Sequence, residues 1–265
     1  MVKIPVINHK FSEPIGVMRV LPLLSDSLSP PQPGVPFSRR GRGGTAQAGP
    51  RIGLLGGSFN PAHGGHRRIS LFALRALGLD EVWWLVSPGN PLKPVKGMAP
   101  LAARVRSAKA LSGTAPIKVT AIERELGTRY TADTLRAIKR LFPRRRFIWM
   151  MGADNLAQFH LWKNWRQIAR EMPIAVIARP GYDDDALASP AMAWLRRFRL
   201  SAAGLNNRGK WSAPALIELR FDPDPHSATE IRSADPEWAG RFTGPASRDE
   251  VTFSLIHENA KGRGE

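Results

Sequence analysis

Two short segments combine residue types that could bind and polarise phosphate groups. The first is GGSFNPAHGGH (56–66), where a pair of glycines is followed by two histidines. The second is HSATEIR (226–232), which ends on an arginine. Gly56 and Gly57 follow a short apolar run, and their lack of a side chain lets the backbone amides approach a ligand closely. A helix is expected to begin near Gly64, and its first N–H groups and positive dipole end favour anions.

The two histidines of the first segment are His63 and His66. Three positions separate them, so both rings can face one ligand if the chain is helical there. Two imidazole donors can stabilise the charge that builds on phosphates as pyrophosphate leaves, and no protein nucleophile is then required. Taken alone, each histidine is more typical of a structural role than of a catalytic one. The glycine pair and the helix start that flank them favour phosphate chemistry.

Strand-like and helix-like segments alternate from Arg51 onwards. Short apolar runs predict the strands, and amphipathic stretches of about ten to fifteen residues predict the helices. This alternation is typical of an α/β fold with a mostly parallel sheet and helices on both faces, which binds ligands at the carboxyl ends of its strands. The predicted strands are 51–55, 81–87, 117–123, 146–152, 173–181 and 215–221. The predicted helices are 65–78, 99–113, 131–143 (with Thr131 as its N-cap), 163–171 and 226–234, and the segment 249–260 closes the chain.

The first part of the chain differs from the rest. Residues 1–48 contain the proline cluster SPPQPGVP and the basic run RRGRGG, and no sustained hydrophobic period. Such a segment buries too little apolar surface to offset the entropy of ordering it. We therefore predict a disordered, basic and proline-rich extension over 1–48, followed by one catalytic domain over 49–265.

Composition narrows the function classes further. The 265 residues contain no cysteine, which excludes disulfides and thiolate catalysis and favours a cytoplasmic location. No apolar run is long enough to span a membrane, and no secretory signal pattern is seen at the N-terminus. The net charge of +17 favours polyanionic or phosphorylated partners, although a generally basic proteome would explain it as well. Any metal site would need oxygen or imidazole ligands, and the sequence singles out no such cluster.

Both phosphate-binding segments resemble the signatures of a known superfamily. GGSFNPAHGGH is similar to the G-G-T/S-F-D/N-P-x-H-x-G-H motif of the nucleotidyltransferases, and HSATEIR to their I-S-S-T-x-I-R motif. Asn60 stands where many relatives have Asp, while His226 and Ala228 replace the usual Ile and Ser. The resemblance implies a Rossmann-like nucleotidyltransferase fold in which the two segments form one ATP site.

The resemblance also implies the residues of that ATP site. Arg232 is expected to hold the β- and γ-phosphates, and His63 and His66 to share the catalytic charge stabilisation with it. Backbone groups near Ser58 are expected to hold the adenosine and phosphates. The implied ATP-binding set is Gly56, Gly57, Ser58, Phe59, His63, His66, Gly152, Asp154, Ser227, Thr229 and Arg232.

Three further segments resemble bacterial nicotinate-mononucleotide adenylyltransferases. They are MGADNLAQFHLWKNWRQI (151–168), RYTADTL (129–135) and SPGNPLK (87–93), and the similarity runs from about residue 51 to the end. It implies adenylyl transfer from ATP, with Mg²⁺ bridging the triphosphate, to nicotinate mononucleotide, which gives deamido-NAD and pyrophosphate in NAD biosynthesis. The implied mononucleotide-binding set is Asn90, Lys93, Tyr130, Thr131, Asp154 and Trp162.

Several of these residues have competing interpretations. Trp162 is implied to stack on the nicotinate ring, while Tyr130 and Thr131 present backbone amides to its carboxylate. The alternative for Trp162 is packing in the core beside Trp165.

Two charged residues also have more than one possible role. Asp154 is implied to bind a ribose or to orient nearby loops, and it could also be a helix N-cap. Arg104 matches an arginine of the family, and it could instead lie on a solvated helix face. Lys93 is placed to meet the mononucleotide phosphate.

The sequence is also compatible with other functions. A relative acting on nicotinamide mononucleotide or phosphopantetheine would share the same ATP motifs. A nucleic-acid-binding protein on the same fold would use the basic clusters RRGRGG, KRLFPRRRF and WLRRFR, although such clusters are commonly solvated helix faces. The expected partners are therefore the two small-molecule substrates, and the sequence is compatible with a homo-oligomer.

Overall fold

Six strands form a single parallel sheet in the computed structural model, which describes residues 49–89, 97–178, 183–207, 211–221, 227–244 and 252. The strands are β1 (Arg51–Gly57), β2 (Glu81–Val86), β3 (Ile117–Thr120), β4 (Arg146–Gly152), β5 (Ile174–Ala178) and β6 (Leu216–Arg220). Their order across the sheet is β3-β2-β1-β4-β5-β6, and every neighbouring pair is parallel. The predicted parallel α/β architecture is confirmed.

Helices connect the strands and cover both faces of the sheet. They are α1 (Gly64–Ala76), α2 (Leu101–Ser112), α3 (Ile122–Glu125), α4 (Thr131–Leu141), α5 (Ala153–Gln158), α6 (Trp165–Glu171), α7 (Asp183–Ala188), α8 (Pro190–Leu195), α9 (Ala202–Asn207) and α10 (Ala228–Ala234). Short 3₁₀ turns lie at Phe159–Leu161, Arg196–Phe198 and Trp238–Phe242.

Alternating side chains on the strands build two hydrophobic cores. On β1, Ile52 and Leu54 pack with α4, α5, α6 and α8, whereas Leu55 packs on the other face with α1 and α2. On β2, Trp83 and Trp84 divide between the two cores in the same way. Because successive strand residues point to opposite faces, strands buried on both sides read as continuous apolar runs. The sheet is therefore buried between two hydrophobic cores and supports the loops at the ends of its strands.

The order in which the chain adds strands to the sheet reverses at β1, although all strands run parallel. The chain proceeds from β1 outward to β2 and β3, then crosses back to place β4 on the other side of β1. In open α/β sheets, ligands bind outside the carboxyl ends of the strands at such a reversal. Here those ends are Gly57 and Gly152, which belong to two of the segments singled out from the sequence.

Element boundaries differ from the sequence predictions at a few points. The strand predicted over 117–123 ends at Thr120, and α3 begins two residues later. Tyr130, not Thr131, is the N-cap of α4, because Thr131 already has helical geometry. The predicted extension over 1–48 and the closing segment 249–260, apart from Thr252, lie outside the described residues. Residues Ala46–Glu265 group into one compact unit, and none of the helices described is long and apolar enough to cross a membrane.

Candidate active site

The loop that leaves β1 makes a sharp turn at Phe59. Its φ of 46° lies in the left-handed region, which a residue with a bulky side chain rarely adopts. The ring is only 1% exposed and stacks on Trp84 with a centroid distance of 5.2 Å. A Cβ atom on Gly57 would lie 3.2 Å from this ring, so glycine fits the close approach. The buried ring thus anchors an unusual backbone turn at the end of β1, next to the exposed Ser58.

Asn60 ties this loop to the segment before α2. Its side-chain amide donates to the carbonyl of Gly97 at 3.1 Å, and its side-chain oxygen accepts from the N–H of Ala99 at 3.1 Å. An aspartate could accept from Ala99 but could not donate to Gly97. The departure from the family's usual Asp is therefore matched to a donor–acceptor pair in this chain.

His63 and His66 lie together at the beginning of α1. His63 is the N-cap of the helix, and the two ring centroids are 4.0 Å apart. The backbone N–H of His63 donates to Nδ1 of His66 at 3.2 Å. Because a neutral imidazole that accepts at one nitrogen carries its proton on the other, Nε2 of neutral His66 is a donor.

The His66 ring is held in place from several sides. Phe59 and Trp84 lie beside it, with centroid distances of 4.8 and 6.1 Å. Its backbone carbonyl accepts from the Ser70 hydroxyl at 2.8 Å, and that hydroxyl in turn accepts from the Trp84 indole at 2.8 Å. An imidazole fixed in this way is preorganised to donate a hydrogen bond at the carboxyl end of β1.

Arg232 reaches the same loop from the far end of the chain. Its Nη1 donates to the backbone carbonyl of Asn60 at 2.7 Å, although the two residues are 172 positions apart. Its Nη2 donates to the Thr229 hydroxyl at 3.1 Å. The start of α10 is fixed by a reciprocal pair, in which the Ser227 hydroxyl accepts from the N–H of Glu230 and the Glu230 carboxylate accepts from the N–H of Ser227. The fold therefore brings the two sequence motifs into direct contact.

The end of β4 lies next to the end of β1. A Cβ atom on Gly56 would collide with the Trp149 ring of β4, and a Cβ atom on Gly152 would collide with the Asp154 carboxylate. Asp154 is exposed in the first turn of α5, whose N-cap is Gly152. The interpretation of Asp154 as an N-cap is therefore wrong, and its carboxylate lies over the end of β4 instead.

Trp162 follows the 3₁₀ turn at Phe159–Leu161 and is partly buried. Its ring meets Phe159 and Trp149 edge-on, with centroid distances of 5.4 and 6.3 Å. Trp165 is more deeply buried and contacts Phe159 and Trp194. Trp162 therefore packs against the core and is also partly exposed, so part of its ring surface can contact a ligand.

Lys163 is a residue that the sequence interpretation did not include. Its Nζ lies 4.2 Å from the ring centroid of Tyr130, the N-cap of α4. This contact joins the turn before Thr131 to the turn that carries Trp162. No sequence pattern could have revealed the contact, because the two turns come together only through the packing of α4 against α6.

Arg104 is almost completely buried, with 1% of its surface exposed, so its interpretation as part of a solvated helix face is wrong. Its guanidinium donates to four backbone carbonyls at the ends of β1 and β2 and before α2. Burial lowers the pKa of Arg104 below the ordinary value. The accepting carbonyls belong to Ser58 at 2.7 Å, Ser87 at 2.7 Å, Ala99 at 2.9 Å and Pro88 at 3.3 Å.

Two residues of the mononucleotide set, Asn90 and Lys93, lie outside the described residues, as does His226. Within the described part of the chain, no three His, Asp or Glu side chains come together in an arrangement that could hold a metal ion.

Comparison with known proteins identifies the family. A family model described as cytidylyltransferase-like matches residues 54–234. A probable nicotinate-nucleotide adenylyltransferase of Erythrobacter litoralis is 69% identical over 206 residues, which cover 78% of this chain and 94% of that protein. A protein of the same description from Bradyrhizobium sp. (strain ORS 278) is 48% identical over 188 residues, which cover 71% of this chain and 98% of the relative.

The fold agrees with a solved structure of the same kind. A Plasmodium falciparum nicotinic acid mononucleotide adenylyltransferase complexed with NaAD aligns with a TM-score of 0.51 at 16% identity, covering 79% of this chain and 95% of that one. At this identity the likeness concerns the fold alone, whereas the curated relatives match in sequence over most of their length. The chain belongs to the cytidylyltransferase-like proteins and to the family of nicotinate-nucleotide adenylyltransferases.

Proposed function

We propose that the described site joins ATP to nicotinate mononucleotide, giving deamido-NAD and pyrophosphate. The observation that carries this proposal is the hydrogen bond from Arg232 to the Asn60 carbonyl, because it joins the second motif to the loop that leads from β1 to the histidine pair. Sequence identity of 69% to a probable nicotinate-nucleotide adenylyltransferase supports the choice of substrate. We assign the catalytic domain to residues 49–265 and its location to the cytoplasm.

The reaction needs positioning and charge stabilisation more than covalent help from the protein. A phosphate oxygen of the mononucleotide attacks the α-phosphorus of ATP in line, the bond to the β-phosphate oxygen breaks, and pyrophosphate leaves with the electron pair. The Nε2–H group of His66 and the guanidinium of Arg232 are donors for the charge that grows on the leaving phosphates. Mg²⁺ enters with the triphosphate as part of the nucleotide substrate.

Pyrophosphate release tests the proposed function directly. Purified full-length protein is supplied with Mg-ATP and, in separate assays, nicotinate mononucleotide, nicotinamide mononucleotide or phosphopantetheine. We expect turnover to be fastest with the nicotinate compound. A folded protein that releases no pyrophosphate with nicotinate mononucleotide would refute the proposal, and preferential use of another acceptor would reassign the substrate.

Replacing Trp162 with alanine should raise the KM for nicotinate mononucleotide by roughly tenfold and leave the KM for ATP nearly unchanged. The substitution removes the ring on which the nicotinate is proposed to stack, so the mononucleotide should bind more weakly. Steady-state kinetics with each substrate varied in turn provide the measurement. Trp162→Phe is the matched control, because it keeps an aromatic face against Phe159 and Trp149. Equal effects on both substrates would show that the ring supports the fold and not the mononucleotide.

Replacing Lys163 with methionine should reduce the preference for the acid over the amide mononucleotide by about two- to fivefold. The Lys163 ammonium lies over Tyr130, where the positive end of α4 is also expected to attract the nicotinate carboxylate. The ratio of kcat/KM for the two mononucleotides is the quantity to measure, at low and high salt. Lys163→Arg keeps the charge and should keep the preference, as should Lys139→Met on α4. An unchanged ratio in Lys163→Met would argue against this role.

A further inference from the structure

Trp149 of β4 carries a buried hydrogen-bond donor that has no partner among the described residues. The residue is 3% exposed, and its indole Nε1 is shielded from solvent. Two other strand tryptophans are paired, since the indole N–H of Trp83 donates to Glu81 at 2.9 Å and that of Trp84 to the Ser70 hydroxyl at 2.8 Å. Buried polar groups are nearly always hydrogen-bonded, and an indole N–H can only donate. The N–H of Trp149 therefore needs an acceptor that the described part of the protein does not supply.

The Trp149 ring leans towards the carboxyl end of the sheet. Trp149 pairs in register with Leu54 on β1, but its ring reaches Gly56, two residues further along that strand. A Cβ atom on Gly56 would collide with Cη2 of the ring and would lie 3.2 Å from Cζ2. Cζ2 is bonded to the ring carbon that carries Nε1, so the donor lies near this edge of the ring. The glycine thus makes room for an indole at the end of β1, where the ligands of such sheets bind.

The neighbours of Trp149 are the groups proposed to hold the nicotinate. Its ring meets the Trp162 ring edge-on, with a centroid distance of 6.3 Å. Both rings pack in the same core as Ala132 in the first turn of α4, so the backbone amide of Thr131 lies on the same face of the sheet. Trp162 is partly exposed and follows Leu161, which is 60% exposed. A ligand therefore approaches Trp149 from the side of Trp162.

The chemistry of the mononucleotide limits which of its atoms can accept this hydrogen bond. The pyridine nitrogen is bonded to the ribose and positively charged, so it has no free lone pair. The carboxylate is then the only acceptor on the nicotinate ring. A hydrogen bond from an N–H to an ionised oxygen is about twice as strong as one to a neutral oxygen, such as the carbonyl of nicotinamide. A shielded indole N–H beside Trp162 should therefore favour the acid over the amide.

We propose that the indole N–H of Trp149 donates to the nicotinate carboxylate and makes Trp149 a specificity-determining residue for the acid mononucleotide. The inference rests on the proposed function, because it takes nicotinate mononucleotide as the substrate. On binding, the turn that carries Trp162 shifts to admit the carboxylate, and the buried donor gains its partner. The donor is neutral and shielded, so its contribution to the preference, unlike that of Lys163, does not fall as salt is added.

The test compares the acid and amide mononucleotides in wild type, Trp149→Phe and Trp149→3-benzothienylalanine, in which a sulfur replaces the indole N–H. In both variants the KM for nicotinate mononucleotide should rise about tenfold and the KM or inhibition constant of nicotinamide mononucleotide about twofold, at low and high salt alike. The KM for ATP and kcat should change little.

Trp211→Phe is the matched control for Trp149→Phe. The Nε1 atom of Trp211 is also buried and without a partner among the described residues. Its ring, however, lies against Arg51 and Arg146, at the opposite ends of β1 and β4. Loss of that N–H should leave the constants for both mononucleotides at their wild-type values.

The ratio of the two mononucleotide constants separates a hydrogen bond from packing. A ring that only supports Trp162 would weaken the acid and the amide equally, so equal changes would overturn the inference, as would unchanged constants in folded variants. If Trp149→Phe fails to fold, the 3-benzothienylalanine variant keeps the bicyclic shape and decides the question. Absence of turnover with nicotinate mononucleotide in wild type would instead remove the proposed function itself.

Nuclear magnetic resonance gives a second readout in the wild-type protein. With ¹⁵N-labelled tryptophan, the indole N–H signal of Trp149 is identified as the one missing from either variant. It should move downfield when nicotinate mononucleotide binds, and move less with nicotinamide mononucleotide. A signal that stays in place at saturating nicotinate mononucleotide would overturn the assigned hydrogen bond.

Discussion

Replacement of His66 by alanine should lower kcat by about 10²- to 10³-fold and change the KM values much less. The Nε2–H of His66 is fixed by the hydrogen bond at Nδ1 and by the rings of Phe59 and Trp84. A donor held in this way need not reorient when charge develops on the leaving phosphates. Its loss should therefore raise the energy of the transition state more than that of the bound substrates. Single-turnover formation of pyrophosphate under saturating substrates measures the effect on the chemical step.

Two variants sharpen the interpretation of the His66 result. His66→Gln keeps an amide donor and should retain more activity than His66→Ala. Arg75→Ala changes an exposed side chain in the last turn of the same helix and should leave kcat unaltered. If His66→Ala raised KM for ATP while kcat stayed at the wild-type value, His66 would be a residue of ground-state binding and its assigned role would be wrong.

Replacement of Arg104 by alanine should destabilise the protein by at least about 3 kcal/mol, because four backbone carbonyls around this buried side chain lose a charged donor at once. For a domain of this size the corresponding fall in Tm is roughly 10 °C. The carbonyls of Ser58 and Ser87 belong to the loops that leave β1 and β2, so the KM values of both substrates should rise as well. Thermal unfolding followed by circular dichroism, together with steady-state kinetics, gives both quantities.

The geometry of Arg104 also predicts which substitutions fail to restore it. A lysine has a single ammonium group with three donors, so it cannot reach all four carbonyls that surround the planar guanidinium. Arg104→Lys should therefore recover only part of the stability. Arg106→Ala is the comparison on the same helix. The Arg106 side chain is less buried than that of Arg104 and donates to the carbonyls of Phe242 and Gly244, so its loss should cost about 1 kcal/mol. An Arg104→Ala protein with a Tm within about 2 °C of wild type would contradict the predicted role.

Much of the fold follows from local sequence patterns. The apolar runs at 51–55, 81–87 and 146–152 correspond to β1, β2 and β4, because a strand buried on both faces must be continuously apolar. The predicted end of the third strand is wrong, since the chain enters α3 after Thr120. Ala121 and Ile122 continue the apolar run there, and both are buried within α3 or at its start. Hydrophobicity alone does not distinguish a buried strand from a buried turn of helix.

The candidate site was only partly predictable for a related reason. The residues of GGSFNPAHGGH are close together in the chain, so their spacing alone places His63 and His66 on one helix turn. The burial of Arg104 depends on carbonyls from three separate segments, and a sequence pattern cannot show that they converge. The same holds for Lys163, whose partner Tyr130 comes from another element.

The sequence by itself determined the parallel α/β fold, the histidine pair and the existence of a second motif ending in Arg232. These features depend on hydrophobic periodicity and on short covalent spacing, which are properties of the chain before it folds. Only the tertiary structure decided that Arg232 binds the Asn60 carbonyl, that Arg104 is buried and that Lys163 lies over Tyr130. Those contacts join residues brought together by the strand order, and the hydrogen-bonding state of a buried polar group is set by whichever partners the packing supplies.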